Sequence, residues 1–555
     1  MDAPWYKNYQ AGVPREINPA AFNSLVDFIE VHNKKYEALP AYSCMGTSLS
    51  YGAVSRLARN FGAYLTGVIA LKAESRVALM MPNLLAYPVA LQGTLRAGLI
   101  AVNVNPLYTA RELRNQLIDS GAEAIVILEN FAHVLAEVIA DTKVHTVIIT
   151  RLGDLLPFAK GLVVNTVVQY VKKLVPPYKF DQKTLFFKAA LQQGAHANFV
   201  QHPVQGESIA FLQYTGGTTG LAKGAMLSHR NMIANIEQAS AWLKDSGRIG
   251  EEIIITALPL YHIFSLTANC LTFMKIGALN VLITNPRDLT SFIKTLGGIK
   301  FTAITGVNTL FNGLLHHPNF ASVDFSSLRL SLGGGMAVQA TVAEAWQRLT
   351  KTVLIQAYGL TETSPAVCIN PLSLTKFNGT IGLPIPSTQV AIRDDHNHEL
   401  PVNTPGELCV KGPQVMLGYW RKPEESAQVF SEDGWLKTGD IATINDQGFV
   451  TIVDRKKDII IVSGFNVYPN EIEEVVAAHP KVLEVGAIGV ADEKSGEAVK
   501  ILVVKKDPSL TVEELRNYCK QQLTGYKVPR HIEFCADLPK TNVGKILRRN
   551  LRGEQ

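Results

Sequence analysis

This 555-residue chain contains no G-x-x-x-x-G-K-[ST] run, which excludes a Walker A phosphate loop. Its glycine-richest segment is not a G-x-G-x-x-G dinucleotide fingerprint either. Cysteine is scarce. Cys44, Cys270, Cys368, Cys409, Cys519 and Cys535 form no C-x-x-C pair and no zinc spacing, a pattern that fits a reducing compartment. Neither sign of charge dominates: 53 Lys plus Arg stand against 48 Asp plus Glu, a net +5. With no basic cluster interleaved with aromatics, that balance argues against a nucleic-acid binder. It suits anionic ligands or loose contact with an anionic membrane. The first 23 residues include Asp2, Lys7, Arg15 and Glu16 and lack an apolar h-region, so no secretory signal is expected.

Long hydrophobic runs are few. Residues 253–274 hold no Asp, Glu, Lys or Arg, and residues 77–95 are similar. Both are long enough to raise the question of a membrane span. However, Pro259, His262 and Asn269 interrupt the first, and Pro82, Asn83 and Pro88 interrupt the second. Such passages read as strand–turn–helix units in a buried core.

At 47% apolar residues and this length, two or more domains are expected. Short apolar strands (76–80, 124–128, 209–212, 253–257, 281–284, 303–305) alternate with helical stretches such as 84–95, the pattern of a layered α/β architecture. From about residue 381 glycine and proline become dense, and strands at 389–392, 407–411 and 449–453 predict a β-rich subdomain. Asp454-Arg455-Lys456-Lys457-Asp458 is a charged run between apolar strands, the composition of a solvated turn or a linker. Beyond it, helices over 469–479 and 512–523 and strands over 482–490 and 501–504 predict a small α+β domain. The expected division is therefore residues 1–453 (with 381–453 β-rich), a hinge at 454–458, and residues 459–555. Residues 163–175 predict an amphipathic helix, with Val163, Val164, Val167, Val168, Val171, Leu174 and Val175 on one face, suited to packing on the domain or to lying in a lipid interface.

The richest local signal is Tyr214-Thr215-Gly216-Gly217-Thr218-Thr219-Gly220-Leu221-Ala222-Lys223-Gly224, which follows an apolar strand and precedes a helix capped by Ser228. Glycines let backbone N–H groups converge on an anion, threonine hydroxyls add donors, and Lys223 adds charge, so a polyphosphate is the natural guest. This run resembles the phosphate loop of the adenylate-forming superfamily. Further matches follow in that family's order: Tyr358-Gly359-Leu360-Thr361-Glu362, Thr438-Gly439-Asp440, the 454–458 run, and Pro539-Lys540-Thr541-Asn542-Val543-Gly544-Lys545. The likeness covers essentially the whole chain.

The resemblance implies a large N-terminal adenylation domain with a small mobile C-terminal one, and ATP, Mg²⁺ and coenzyme A as ligands. It assigns Glu362 and Thr215 to magnesium and Lys545 to the adenylation chemistry. Residues 215–220 (Thr215, Gly216, Gly217, Thr218, Thr219, Gly220) and Lys223 would hold phosphate. Tyr358, Gly359, Leu360 and Thr361, with the Gly333-Gly334-Gly335 turn, would flank adenine, and Asp440 and Arg455 would hold the ribose. Lys457 would be the pivot. His262 would line and gate an acyl pocket, and Gly464 would leave room for the arm of coenzyme A. Read from the residues alone, the apolar stretch 302–315 suits a tunnel wall and equally an ordinary buried strand and helix.

Within the superfamily the likeness is to bacterial long-chain acyl-CoA synthetases of the fatty-acid degradation type. That likeness implies a fatty acid as substrate, the cytoplasm with loose contact to the inner face of the cell membrane as location, and allows a homodimer. Asp433, Lys437 and Ala222 depart from the common asparagine, histidine and proline. An acyl-AMP-forming enzyme with another acceptor, and a membrane-associated lipid-binding or transport protein, stay open as alternatives.

Overall fold

A computed structural model describes residues 3–215, 222–243, 247–541 and 544–553. Among the described residues the strands form four sheets. The first runs Lys183–Phe186, Thr146–Thr150, Ala124–Leu128, Arg76–Met80, Ile100–Val104, Ile209–Thr215, Lys223–Ser228. It is parallel until its last pair, where Ile209–Thr215 and Lys223–Ser228 form an antiparallel hairpin. The second, nine-stranded sheet is parallel through Pro40–Cys44, Leu279–Leu282, Ile253–Thr256, Ala303–Gly306, Leu330–Gly333 and Leu354–Gly359, with antiparallel edges. Parallel strands are covered on both faces, and Ala124–Leu128 and Thr146–Thr150 are buried at every position.

The sequence places the two apolar passages correctly. Residues 76–96 are a strand and a helix, and residues 253–275 a strand followed by a helix with a wider π-type turn. Among the described residues no helix is long and apolar enough to cross a membrane. The β-rich subdomain is a four-stranded antiparallel meander, Gln389–Arg393, Gly406–Lys411, Leu436–Ile444 and Val450–Arg455. The last hundred residues have their own sheet and their own apolar core, built on Ile460, Val467, Ile472, Val485, Ile501 and Leu515.

Three expectations are corrected. The glycine–threonine run does not lead directly into a helix. Strand Lys223–Ser228 intervenes, and Ser228 caps the helix His229–Leu243 by accepting from the Asn231 N–H at 3.1 Å. Asp454 is no solvated turn residue. It is the next-to-last residue of a strand, has no exposed surface and accepts from three donors, whereas Lys456 and Lys457 are exposed. The 163–175 helix begins earlier, at Phe158, and after Thr166 widens into a π-type turn over Val167–Val171. That extra residue per turn rotates the apolar stripe out of register. Val168 is buried, but Val163, Val171 and Leu174 are exposed, together with Phe158, Leu162 and Tyr170.

Candidate active site

Both parallel sheets aim the carboxyl ends of their strands at one cavity of about 2390 Å³, the position where open α/β sheets hold ligands. Thr215 ends one strand. Thr305 and Val307 stand at the end of another, Gly334 and Gly335 follow a third, and Tyr358, Gly359, Leu360, Thr361 and Glu362 run through the end of a fourth. Lys223, His262, Asp440, Arg455, Lys457 and Lys545 complete that wall. Residues 216–220 lie outside the described residues. Their flanks, Thr215 and Lys223, pair across the hairpin and face the cavity.

At the centre is a polar triad. Register pairs Asp440 with Arg455 across the antiparallel meander, and Arg455 Nε lies 2.7 Å from Asp440 Oδ1. The Tyr358 hydroxyl donates to Asp440 Oδ2 at 2.5 Å. Asp440 is only 3% exposed, and a buried carboxylate requires such partners. Tyr358 can take this position because Gly359 passes against the Pro365 carbonyl. A Cβ on Gly359 would lie 2.0 Å from that oxygen.

Glu362 stands on a single 3₁₀ turn, Thr361–Thr363. Sequence reasoning missed its neighbour. The Tyr419 hydroxyl donates to Glu362 Oε1 at 2.7 Å, and the Tyr419 ring carries Lys223 Nζ 5.2 Å from its centroid. Only its place in a Gly-Tyr-Trp turn far along the chain could have signalled Tyr419, and that signal is weak. One carboxylate and one threonine hydroxyl fit magnesium when phosphate and water oxygens complete its shell. Among the described residues no cluster of three or more His, Cys, Asp or Glu could hold a metal unaided.

Lys545 arrives from the C-terminal unit. The Thr309 hydroxyl, on helix Asn308–His316, donates to the Gly544 carbonyl at 2.8 Å, and Gly544 has φ +89°. A Cβ there would fall 2.6 Å from Thr309 Oγ1, so glycine permits the docking. The Lys545 N–H donates to Thr541 Oγ1 at 3.0 Å, closing the turn. Desolvation, then the nearby Arg455 cation, push the Lys545 ammonium down to about 8, against a smaller pull from Asp440. Burial, then Lys545, push His262 down to about 4, so its imidazole is neutral at physiological pH.

Some expected residues fall elsewhere. Gly333 ends its strand packed beside Val338, outside the cavity wall. Gly464 is exposed at the Ile460–Val462/Phe465–Val467 turn and also lies off the wall. Asp433 forms a bidentate pair with Arg393 (3.0 and 2.7 Å) inside the β-rich subdomain, whereas Lys437 does face the cavity. Of the 302–315 stretch only Thr305, Val307, Asn308, Thr309 and Asn312 line it, since Phe311 and Leu314 pack into the core. The apolar wall comes instead from Trp242, Leu243, Phe264, Ala268, Phe273 and Leu332.

Residues 29–420 match the model of the AMP-binding enzyme family, and residues 471–545 match the AMP-binding enzyme C-terminal domain. This chain is an AMP-binding enzyme. A long-chain-fatty-acid–CoA ligase of Escherichia coli O6:H1 is 57% identical over 554 residues, covering 100% of this chain and 98% of that protein. One from Haemophilus influenzae is 52% identical, covering 100% and 99%, and one from Bacillus subtilis 37%, covering 100% and 98%. Among solved structures, ATP-bound MatB from Rhodopseudomonas palustris superposes with a TM-score of 0.79 at 26% identity, covering 96% of this chain and 99% of that one. The anthranilate CoA ligase AuaEII in complex with anthranoyl-AMP reaches 0.84 at 23% identity, covering 97% and 98%, a likeness of fold.

The depressed Lys545 is directly measurable in this AMP-binding enzyme. Labelling by an amine-reactive ester, read residue by residue by mass spectrometry, should level off just above pH 8 at Lys545 while exposed lysines keep gaining reactivity towards 10. A Lys545 curve that climbs with the rest would contradict a lysine desolvated beside Arg455.

Proposed function

We propose that the chain is a long-chain-fatty-acid–CoA ligase that uses ATP and Mg²⁺ to convert a fatty acid to its acyl-adenylate, then transfers the acyl group to coenzyme A. The carrying observation is that Lys545, delivered by a separate C-terminal unit, shares one cavity with the Tyr358–Asp440–Arg455 triad and with Glu362. Full-length relatives at 52–57% identity that bear this activity in their names support the substrate class.

In the first half-reaction the fatty carboxylate oxygen attacks the α-phosphorus of ATP and pyrophosphate departs. Anion meets anion, so the protein contributes chiefly positioning and positive charge. Lys545 bonds the incoming carboxylate and the α-phosphate. Asp440 accepts from the ribose hydroxyls, with Arg455 fixing its orientation and reaching the ribose as well. Tyr358, Gly334 and Gly335 flank the adenine. Lys223 and Thr215 face the cavity where the β- and γ-phosphates would lie, and the glycine–threonine run between them supplies the phosphate donors. Glu362 and Thr215 hold the magnesium that accompanies ATP, and that ion supplies charge neutralisation on the phosphates. Neutral His262 does no proton transfer and serves as a gate at the head of the acyl pocket. In the second half-reaction the thiol sulfur attacks the acyl carbonyl carbon and AMP leaves. The C-terminal unit, residues 459–555, turns about Lys457 within the 454–458 hinge to bring Gly464 to the cavity for that step.

Purified protein given ATP, Mg²⁺, palmitate and coenzyme A should yield AMP and palmitoyl-CoA. Lys545→Ala should lower adenylation on the order of 10²–10³-fold while leaving ATP binding largely intact. Acyl-AMP that accumulates despite coenzyme A would favour another acceptor, and inertness toward short, long and aromatic acids alike would sink the proposal.

The apolar wall should set chain length. Each buried methylene contributes roughly 0.8 kcal/mol. Ala268→Phe, by excluding about four of them, should cost a 16-carbon acid about 3 kcal/mol, or on the order of 100-fold in kcat/KM, and spare a 10-carbon acid. Equal losses for both acids would place the tail elsewhere.

Peripheral membrane contact belongs to the same reading. Residues 155–180 contain Lys160, Lys172, Lys173 and Lys179 and no acid, alongside exposed Phe158, Leu162, Val163, Tyr170, Val171 and Leu174. Co-sedimentation with anionic vesicles should fall when Val163 and Val171 are both changed to Glu. Undiminished binding would rule this segment out as the anchor.

A further inference from the structure

Arg548, three residues past Lys545, is the most heavily partnered cation at the junction between the C-terminal unit and the rest of the protein. Its side chain is 14% exposed. Nη1 donates to Asp454 Oδ1 at 2.8 Å, Nη2 to Asn470 Oδ1 at 2.5 Å, and Nε and Nη2 to the two Glu473 oxygens at 3.1 and 2.8 Å. Asp458 lies 3.5 Å from Nη1. Asp454 and Asp458 bound the hinge run, but the sequence motifs give neither them nor Asn470, Glu473 and Arg548 an individual role.

Lys457 divides these contacts into two sets. Asp458, Asn470, Glu473 and Arg548 all lie beyond it and travel with the C-terminal unit. Asp454 lies before it, at the end of the strand that carries Arg455, and stays with the ribose-facing triad. Besides the more distant Thr309–Gly544 and Asn312–Leu483 bonds, three bonds of this cluster cross the division: Arg548 Nη1 to Asp454, the Asn470 N–H to Asp454 Oδ2 at 2.7 Å, and Asn470 Nδ2 to the Val453 carbonyl at 3.1 Å. A turn about Lys457 must break these three and can keep the rest. Asp454 has no exposed surface, so the crossing set holds a buried carboxylate whose satisfaction depends on the C-terminal unit being docked.

We infer that Asp454 and Arg548 form a latch that holds the Lys545-delivering arrangement, and that Arg548 is thereby a positioning residue for adenylation and not for thioester formation. The inference rests on the two half-reactions and the Lys457 turn proposed above. Asp454 accepts from the Arg455 and Asn470 N–H groups and from Arg548 and has no exposed surface, so its loss removes the latch and leaves Lys545 and the Tyr358–Asp440–Arg455 triad in place. Arg548→Lys approaches the same contact from the other side, since an ammonium lacks the fork that reaches Asp454, Asn470 and Glu473 together.

The test measures each half-reaction in the full chain. ATP–pyrophosphate exchange with palmitate and no coenzyme A reports adenylation. Palmitoyl-CoA formed from supplied palmitoyl-AMP and coenzyme A reports the second step. Asp454→Asn should lower exchange about tenfold or more and leave thioester formation within about twofold, and Arg548→Lys should show the same split. If burial of the asparagine prevents folding, seen as a lost thermal transition, Arg548→Lys decides alone. Losses of equal size in both half-reactions, or no loss in either, would overturn the latch. A wild-type protein that makes no acyl-CoA would instead overturn the reading on which the latch rests.

Discussion

The ion pair between Asp440 and Arg455 is the constraint around which the site is assembled. A carboxylate at 3% exposure cannot persist alone, and its partners come from two different layers. Arg455 reaches it across the antiparallel meander, and Tyr358 reaches it from the end of a strand in the nine-stranded sheet. That pair of contacts locks the β-rich subdomain against the α/β layers. It also fixes where the chain leaves for the C-terminal unit, because Arg455 is the last residue of its strand. The environment of Lys545 follows, since Arg455 is the strongest charge acting on it.

The fold was largely legible because parallel strands buried on both faces leave a plain mark. Residues 76–80 and 124–128 form strands with the bounds their apolar runs predict, and three of the meander's four strands and the C-terminal helices fall within a residue or two, while Leu436–Ile444 went unread. The candidate site was legible where its residues sit in short local motifs, as at 358–362, 438–440 and 544–545. It was illegible where the deciding contact is between distant segments. Tyr419 meets Glu362 across 57 residues, Thr309 meets Gly544 across 235, and Arg548 meets Asp454 across 94. The apolar wall was misassigned for a related reason. Helix Asn308–His316 is amphipathic, and periodicity alone does not say which face meets a cavity and which meets the core. The structure turns Phe311 and Leu314 inward and gives the wall to Phe264, Ala268 and Phe273.

Charge at Asp454 shows how composition misleads at a junction. Five charged residues in a row read as solvent-facing, and two of them, Lys456 and Lys457, are. Asp454 and Asp458 are buried because the cations of the C-terminal tail, Arg548 and Arg552, supply partners that the local sequence does not contain. Burial raises the carboxyl of Asp454 above its ordinary range despite Arg548, so an undocked tail would leave it either protonated or rehydrated.

The two kinds of cavity wall together narrow the class of ligand. Lys223, Arg455 and Lys545 present cations to one cavity, and the Lys545 ammonium, disfavoured first by desolvation and then by Arg455, is relieved by a polyanion. Leu243, Phe264 and Ala268 offer a surface that no nucleotide would cover, and apolar surface left against water forfeits about 25 cal/mol per Å². A nucleotide alone satisfies the first wall and a fatty acid alone the second. A mixed anhydride of the two satisfies both at once, and His262 and Lys545 lie near each other on the cavity wall. Since His262 is neutral there, it can face an alkyl chain without stranding a buried charge, so the boundary between the walls carries its positive charge on the lysine alone.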